Sequence, residues 1–497
     1  MYVPLDLPAG VYANGTEYEA KGRWRIANLI RWYNGRMRPV GGWQRFTKTA
    51  TTSPARAVQT WRANNGTPHA GFGAASNLYH SDGALVTDIT PDGLARGYVD
   101  ATGGAGYGAG PYSAETYGTV RGGSGIPVDA TTWHLDNFGQ VLLAMSTADG
   151  RLFYWDAGNQ TAKAVLVAKA PIQCNGMFVT DERMVVVLGA KGNPREIMWS
   201  NQNDFTNWDI GEQTTSGDLQ LHSNGIARSG CRMPGLSLIF TDTDVHALNY
   251  VGYPLIYGVQ RIGSACGIIA PRAFAATQNL CVWMGNLNFF IYNGVVASLP
   301  CDVAEAVFDN LNRRQASKIV GGVNSQFNEI WFFFPSKNSI ENDSYVFWNY
   351  KENHWGLGAL SRTAWTDRDV WVNPIGAGED AMLYEHENGW LAAGGPRIGS
   401  VNAESGPLDF GDGEQVLCVQ QVLTDTNAGD GAVNLSFRTK LTPNGAETIN
   451  GPYLMRHDGY TDARFTGRQA KIRIDLAKDG LFQLGTIRLD AIPGGRR

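Results

Sequence analysis

The chain has 497 residues, including 61 glycines, 15 Trp, 19 Tyr and 20 Phe, and only 18% of its residues are charged. This length exceeds one ordinary domain, and the excess of glycine and aromatic residues favours short strands and turns over helices. The net charge of −5 disfavours tight, non-specific binding of nucleic acid, and the 43% hydrophobic content excludes disorder over most of the chain.

Residues 1–50 predict an irregular N-terminal strap. Prolines and glycines interrupt this segment repeatedly, while Trp24, Trp32, Tyr33 and Trp43 supply apolar contact points. Such a segment cannot bury these aromatics by itself, so we expect it to pack against a larger unit.

Residues 51–395 contain a repeated unit, a short apolar run that ends in an aromatic residue and is usually followed by a turn glycine. The aromatics of the successive copies are Tyr79, Tyr154, Trp199, Tyr250, Tyr292, Trp348 and Tyr384. The steps between them range from 36 to 75 residues, most of them near the ~40–50 residues of one four-stranded propeller blade. The spacing predicts a β-propeller of six to eight blades, with the seven aromatics at similar places in their blades. The alternative is an all-β chain whose strands end in aromatics through composition alone.

Two segments depart from this repeat. Residues 100–126 hold nine glycines and three tyrosines and predict a long loop or arm. Residues 302–315 place Val303, Val307, Phe308 and Leu311 at helical spacing, which predicts one short amphipathic helix with Asp302 as its N-cap.

The pattern of apolar and polar residues changes in the last hundred residues. Ala470, Ile472, Ile474 and Leu476 alternate with polar residues, which is the period of half-buried antiparallel strands. Residues 396–497 therefore predict a separate C-terminal β-sandwich.

Enzyme signatures are missing from the sequence. It contains no GxSxG, P-loop, HExxH or EF-hand motif, and the glycines at 104, 106, 108 and 110 lack the GxGxxG spacing. The acidic group of Glu379, Asp380, Glu385, His386 and Glu387 could imitate a glycosidase pair, but neighbouring strand residues point to opposite faces. We therefore read it as a solvated turn and predict no catalytic residue, no metal site and no cofactor.

The cysteines stand at 174, 231, 266, 281, 301 and 418, with no CxxC pair and no metal-type spacing to histidine. We expect them to be isolated buried thiols.

A second functional class stays open at this point. Trp32, Trp133, Trp371 and Trp390, if exposed, could stack on sugar rings, so the alternative is a carbohydrate-binding or carbohydrate-active propeller that acts on a cell surface.

The central sequence resembles the nozzle, or tail-hub, proteins of short-tailed bacteriophages, a family that includes phage stabilisation proteins and tubular tail proteins. The resemblance rests on residues 176–189 (GMFVTDERMVVVLG), 197–208 (IMWSNQNDFTNW), 238–244 (LIFTDTD), 263–272 (GSACGIIAPR), 282–294 (VWMGNLNFFIYNG), 328–331 (NEIW) and 362–365 (RTAW). It extends to the strap through residues 38–42 (RPVGG), and the arm at 100–126 has no counterpart in it.

The resemblance implies a structural virion protein without an active site, made in the cytoplasm of a bacterial host and assembled into the tail. Its implied form is a homo-oligomeric, hexameric ring that extends the DNA conduit below the portal and adaptor ring proteins. Such a ring would gate genome release and dock tail fibre, spike or needle proteins, while phage DNA passes through its lumen without tight binding.

Overall fold

The computed structural model describes residues 2–83, 85–102, 128–159, 162–409, 415–428, 432–442 and 445–495. Strands make up 49% and helices 4% of the structure, and the expected all-β propeller class is confirmed. Apart from residues 100–102, the predicted arm at 100–126 lies outside the described residues.

The sequence predicted an irregular strap over the first fifty residues, but the structure shows regular strands there. These residues form a 3-10 turn at Glu17–Ala20 and five short strands, which are β1 (Tyr2–Leu5), β2 (Trp24–Asn28), β3 (Ile30–Tyr33), β4 (Arg36–Pro39) and β5 (Trp43–Arg45). β3 and β4 make a hairpin in which Asn34 and Gly35 take positive φ values of 52° and 69°, as a two-residue turn requires. Every other strand that pairs with them lies hundreds of residues away, so local sequence could not reveal the pairing.

Seven four-stranded antiparallel sheets form the propeller, within the predicted range of six to eight blades. Blade 1 is β6 (Ala57–Arg62), β7 (Pro68–Gly73), β8 (Leu78–Ser81) and β9 (Val86–Asp88). Blade 2 is β10 (Trp133–Phe138), β11 (Val141–Ser146), β12 (Leu152–Asp156) and β13 (Val165–Leu166). Blade 3 is β14 (Gly176–Val179), β15 (Val185–Leu188), β16 (Glu196–Trp199) and β17 (Gly217–Gln220), with a 3-10 turn at Ala190–Gly192.

The remaining blades continue in chain order. Blade 4 is β18 (Ala227–Met233), β19 (Leu236–Thr241), β20 (Asp244–Gly252) and β21 (Ile256–Ser264). Blade 5 is β22 (Phe274–Ala276), β23 (Cys281–Met284), β24 (Phe289–Tyr292) and β25 (Val296–Leu299). Blade 6 is β26 (Val320–Asn324), β27 (Glu329–Phe334), β28 (Ser344–Asn349) and β29 (His354–Ala359). Blade 7 is β30 (Ala364–Thr366), β31 (Ile375–Ala377), β32 (Leu383–His386) and the early strand β5, which pairs with β32 and completes the blade.

The first strands of successive blades contact one another in a closed circle, from β6 through β30 and back to β6. Large aromatics fill the space between blades where the neighbouring strand carries glycine. A Cβ atom on Gly73 would lie 2.2 Å from the ring of Trp133, and one on Gly322 would lie 2.2 Å from Trp365. These glycines are therefore needed for the close approach of adjacent blades.

The C-terminal sandwich is built from both ends of the chain. Its later strands are β33 (Asn402–Ser405), β34 (Leu408–Asp409), β35 (Leu417–Ala428), β36 (Val433–Lys440), β37 (Thr448–Leu454), β38 (Tyr460–Gly467), β39 (Gln469–Leu476) and β40 (Phe482–Pro493). One sheet has the order β3-β4-β40-β35-β38 with β1 on β40, and the other has β2-β33-β39-β36-β37 with β34 on β39. Phe437 and Phe465 stack across the two sheets at 4.3 Å, and Ile472 and Ile474 are fully buried, as their alternation predicted.

The predicted helix exists but is shorter than 302–315. It is α1 (Ala304–Asp309), followed by a 3-10 turn at Arg313–Lys318. Val307, Phe308 and Leu311 are buried as expected, whereas Asp302 does not cap the helix. The Asp302 carboxylate instead accepts a hydrogen bond from Arg23 at 3.0 Å, so it ties the N-terminal segment to the propeller.

Candidate functional site

The seven repeat aromatics all lie in the third strand of their blades. Tyr79, Tyr154, Trp199, Tyr250, Tyr292, Trp348 and Tyr384 fall in β8, β12, β16, β20, β24, β28 and β32. Their positions along the strand differ, since Tyr79 and Tyr384 are second in their strands and Tyr250 is seventh. Most of them are buried or half-buried, whereas Tyr250 is exposed. They are packing residues distributed around the ring, and the structure does not bring them together.

The central channel is the cavity that the first strands of all seven blades enclose. It has a volume of about 340 Å³, which is the size of a small-molecule site. Charged side chains in its lining are Asp136, Arg232, Arg272 and Asp367. The four charges cancel formally, so the channel has no strong field of one sign.

Burial controls the ionisation of the groups in this channel. Desolvation lowers the pKa of His134 to about 3, and the nearby charge of Arg272 acts in the same direction. Burial also raises the pKa of Asp136, although both channel arginines and a 2.8 Å hydrogen bond from the Val179 N–H oppose the rise. Two polar atoms in the channel lining, the Nε2 atom of His134 and the hydroxyl oxygen of Ser229, have no hydrogen-bond partner among the described residues. The channel can therefore hold water or a small polar molecule.

The residues that flank positions 103–127 pair with each other and contact the propeller. Thr102 and Val128 exchange backbone hydrogen bonds of 3.0 and 2.9 Å. Asp129 lies 3.6 Å from Arg228 of blade 4, and the next N–H, of Ala130, donates to the Ser317 hydroxyl ahead of blade 6. These contacts attach residues 129–130 to blade 4 and to the segment that leads into blade 6.

A buried lysine fixes the start of the arm. The Lys318 ammonium is inaccessible to solvent and donates to Asp100 at 2.5 Å, to Glu341 at 2.7 Å and to the Ile340 carbonyl at 2.6 Å. Glu341 also forms a two-armed ion pair with Arg56 at 2.6 and 2.7 Å. These partners lower the pKa of the Glu341 carboxyl against the opposing effect of its burial. The arm thus begins at a buried cluster in which Lys318 and Arg56 each have a carboxylate partner.

A second buried network joins the propeller to the sandwich. Arg31, on the sandwich strand β3, contacts Glu329 of blade 6 at 2.9 Å and Glu387 after blade 7 at 2.6 Å. Its guanidinium also lies 3.8 Å from the centre of the Phe327 ring. Burial raises the pKa of Glu329 to about 7, while the two carboxylates outweigh burial and raise the pKa of Arg31. One cation therefore holds both units together.

The acidic group predicted to be a solvated turn is partly buried. Glu385 accepts hydrogen bonds from Asn373 and Asn388, and Glu387 belongs to the Arg31 network. His386 is buried and accepts a 2.7 Å bond from Arg362, which with burial lowers the pKa of its ring. The carboxylates of Glu385 and Glu387 thus have separate hydrogen-bond partners. The solvated-turn prediction was wrong for His386 and Glu387 because tertiary partners cover them.

Two of the four aromatics considered for sugar stacking are not exposed. Trp32 and Trp133 are buried in the core, and Trp133 donates to the Ala74 carbonyl at 2.6 Å. Trp371 packs edge-on against Phe46 and is half-buried, as is Trp390. Of the four tryptophans considered for sugar stacking, Trp371 and Trp390 remain as partly accessible rings.

The cysteines are all free thiols, and four are buried, but they are not all isolated. The sulfurs of Cys231 and Cys281 lie 3.7 Å apart between blades 4 and 5. In the part of the chain that the structure describes, no group of three or more His, Cys, Asp or Glu could hold a metal ion. No helix in that part is both long enough and apolar enough to cross a membrane.

The charged groups that organise the structure were missed from sequence. Arg31, Arg56 and Lys318 carry no local signal, because each has a partner more than two hundred positions away. The one usable hint is that Arg31 stands inside the apolar sequence Ile30-Arg-Trp32, where a charge is buried only with a partner.

Comparisons with known proteins add little to this geometry. No family model matches the chain, and no curated protein does so either. Among solved structures, the WD40 domain of Pan2 from Neurospora crassa aligns with a TM-score of 0.39 and 8% identity, over 70% of this chain and 96% of that chain. The seven-bladed assignment rests on the strand pairing of the chain itself.

Proposed function

We propose that the chain is a structural subunit of a virion tail, the nozzle of a short-tailed bacteriophage. Six copies would form a ring that extends the DNA conduit below the portal and adaptor rings, gates genome release and docks fibre, spike or needle proteins. The sequence resemblance over residues 176–395 motivates this proposal, and that region spans blades 3 to 7.

The observation that carries the proposal is the interlocking of the two units. The first 45 residues supply strands to both sheets of the sandwich and the last strand of the propeller, and Arg31 pins the two units through buried carboxylates. A part that transmits force between neighbouring rings needs units that do not separate. Shared sheets meet that need, because separating the units would break strand pairing as well as surface contacts.

In this proposal the DNA path runs between subunits and not through a propeller. The central channel is of small-molecule size, about 340 Å³. Six copies of a −5 chain would carry about −30, and a conduit that lets DNA slide should avoid the strong phosphate contacts that retain it.

The test is to locate the chain in purified particles. We expect gold-labelled antibody against the chain to decorate the tail tip, and particles from a host infected with a nonsense mutant to lack the distal tail ring until wild-type protein is supplied. Labelling of the capsid alone, or a complete tail in the mutant, would contradict the proposal. A glycan array and a hydrolase assay distinguish the carbohydrate alternative, which predicts binding or turnover that weakens in Trp371→Ala or Trp390→Ala.

A further inference from the structure

Two cysteines face each other across the boundary between blades 4 and 5. Cys231 lies on β18, and a Cβ atom on its neighbour Gly230 would lie 2.3 Å from the Phe178 ring of blade 3. Because side chains alternate along a strand, Cys231 points the other way, towards blade 5. Its sulfur there lies 3.7 Å from the sulfur of Cys281, on the second strand of blade 5, β23. The strands of two adjacent blades therefore position this pair.

This pair differs from an ordinary buried thiol such as Cys174. The Cys174 sulfur contacts the Pro171 and Ile172 carbonyl oxygens at 3.5 and 3.7 Å, and a thiol of that kind packs as a small apolar group. Two sulfurs in contact can instead form a disulfide, in which they are about 2.05 Å apart. The sulfurs of Cys231 and Cys281 must approach by about 1.7 Å, which rotation about the two Cα–Cβ bonds and a slight shift of the blades can supply.

The two thiols differ in their access to solvent. Cys231 belongs to the lining of the central channel and keeps 6% of its surface exposed, whereas Cys281 is 0% exposed. Burial raises the pKa of the Cys281 thiol well above its ordinary value. The channel volume of about 340 Å³ admits a small oxidant, which would meet Cys231 first. A more accessible thiol beside a second thiol that resolves it is the arrangement of redox-reactive cysteines.

We propose that Cys231 and Cys281 form a peroxide-reactive dithiol that closes into a disulfide between blades 4 and 5. The Cys231 thiolate attacks one oxygen of hydrogen peroxide, the O–O bond breaks and hydroxide leaves, so Cys231 becomes a sulfenic acid. The Cys281 sulfur then attacks the Cys231 sulfur. An S–S bond forms, the S–O bond breaks, and the released hydroxyl group takes up the Cys281 proton and leaves as water. The hydroxide of the first step takes up the proton that Cys231 lost, so two thiols are oxidised while one peroxide is reduced to two waters. This site does not depend on the proposed tail function.

Peroxide treatment of the purified, reduced full chain tests the site. We expect the folded chain to lose two of its six free thiols and the mass of two hydrogens. A digest made at low pH, which prevents disulfide exchange, should yield a peptide pair that joins Cys231 to Cys281, and dithiothreitol should restore both thiols. Six thiols that stay free, or a disulfide that joins other cysteines instead, would overturn the proposal.

The variant Cys281→Ala tests the order of the two steps. It removes the resolving thiol, so dimedone should trap a sulfenic acid at Cys231 in the peroxide-treated variant and much less of it in the wild type. The matched control is Cys174→Ala, which removes another buried thiol and should form the bridge as the wild type does. Dimedone adducts at Cys231 that are equal in the variant and the wild type would contradict the role of Cys281. The peptide map of the wild type tests the bridge even if Cys281→Ala does not fold.

A bulkier oxidant tests the route through the channel. Glutathione disulfide should oxidise the pair in the urea-unfolded chain but leave it reduced in the folded chain, because it is too large to reach Cys231 through the channel. Hydrogen peroxide should form the bridge in the folded chain as well. A bridge that peroxide forms only after unfolding, or that glutathione disulfide forms equally fast in both states, would overturn a site reached through the channel.

Discussion

Acidification from pH 7 to pH 5 should destabilise the fold through its buried histidines. Six of the eight histidines have lowered pKa values, chiefly because burial disfavours the charged ring, namely His69, His80, His134, His246, His354 and His386. The unfolded chain takes up protons near pH 6.5, whereas His80 and His134 in the folded chain do so only near pH 4 and 3. The unfolded state therefore binds more protons in this window, and stability falls as the pH falls.

The magnitude follows from these pKa values. Between pH 7 and 5, His80 and His134 each remove about 2 kcal/mol of unfolding free energy. Glu329 acts in the opposite direction, since its pKa of about 7 lets the folded state take up a proton first, and it returns about 2 kcal/mol. These three groups leave a net loss of about 2 kcal/mol, and the other four buried histidines add to it.

Urea unfolding followed by tryptophan fluorescence at pH 7, 6 and 5 measures this loss. We expect His134→Gln to shrink the loss between pH 7 and 5 by about 2 kcal/mol, because Gln does not titrate. The exposed His457→Gln is the matched control and should leave the loss unchanged. Stability that is flat or rises on acidification, or a full loss retained in His134→Gln, would refute the reasoning.

Three further expectations concern the network, the arm and DNA. Arg31→Met leaves two buried carboxylates without their cation and should lower the free energy of unfolding by about 3–5 kcal/mol. Proteolysis should then separate the propeller from the sandwich more easily. The exposed Arg36→Met should change neither property. Replacement of residues 103–127 by Asn-Gly lets Thr102 and Val128 keep their pairing across a two-residue turn. The melting temperature should then stay within a few degrees of wild type while incorporation into particles falls, and normal incorporation would make the arm a dispensable loop. In fluorescence anisotropy at physiological salt, the chain should show no appreciable affinity for duplex DNA, and tight binding that weakens steeply with salt would contradict the conduit model.

The sequence predicted the repeated blades but missed the strand pairing that closes the propeller. Each third strand ends its apolar run in an aromatic, so Tyr79, Tyr292 and Tyr384 revealed the blades through local pattern alone. β5 has three residues, and its partner β32 is separated from it by nearly the whole propeller. Periodicity needs several residues to register and carries no information about a distant partner.

The burial of polar and aromatic side chains was the other feature that could not be predicted from the sequence. Trp32 looked like a contact point on an irregular strap, yet it lies in the core because β3 joins the sandwich. His386 and Glu387 looked solvated because local sequence cannot show that Arg362 and Arg31 cover them. Such side chains become predictable only once the strand topology is known.

Shared strands also determine when the protein can fold during its synthesis. The ribosome makes β5 near the beginning, but β32 emerges only after the other six blades, and β1 waits still longer for β40. Until then the nascent chain carries unpaired strand edges, which invite association with other chains. Pairing of Tyr2 with Asp490 also brings the two ends of the chain together. A circular permutant could join these ends and open the chain within residues 103–127. It would place β5 and β32 in the same half of the new chain. The last contact to form would then be the one between blade 1 and blade 2.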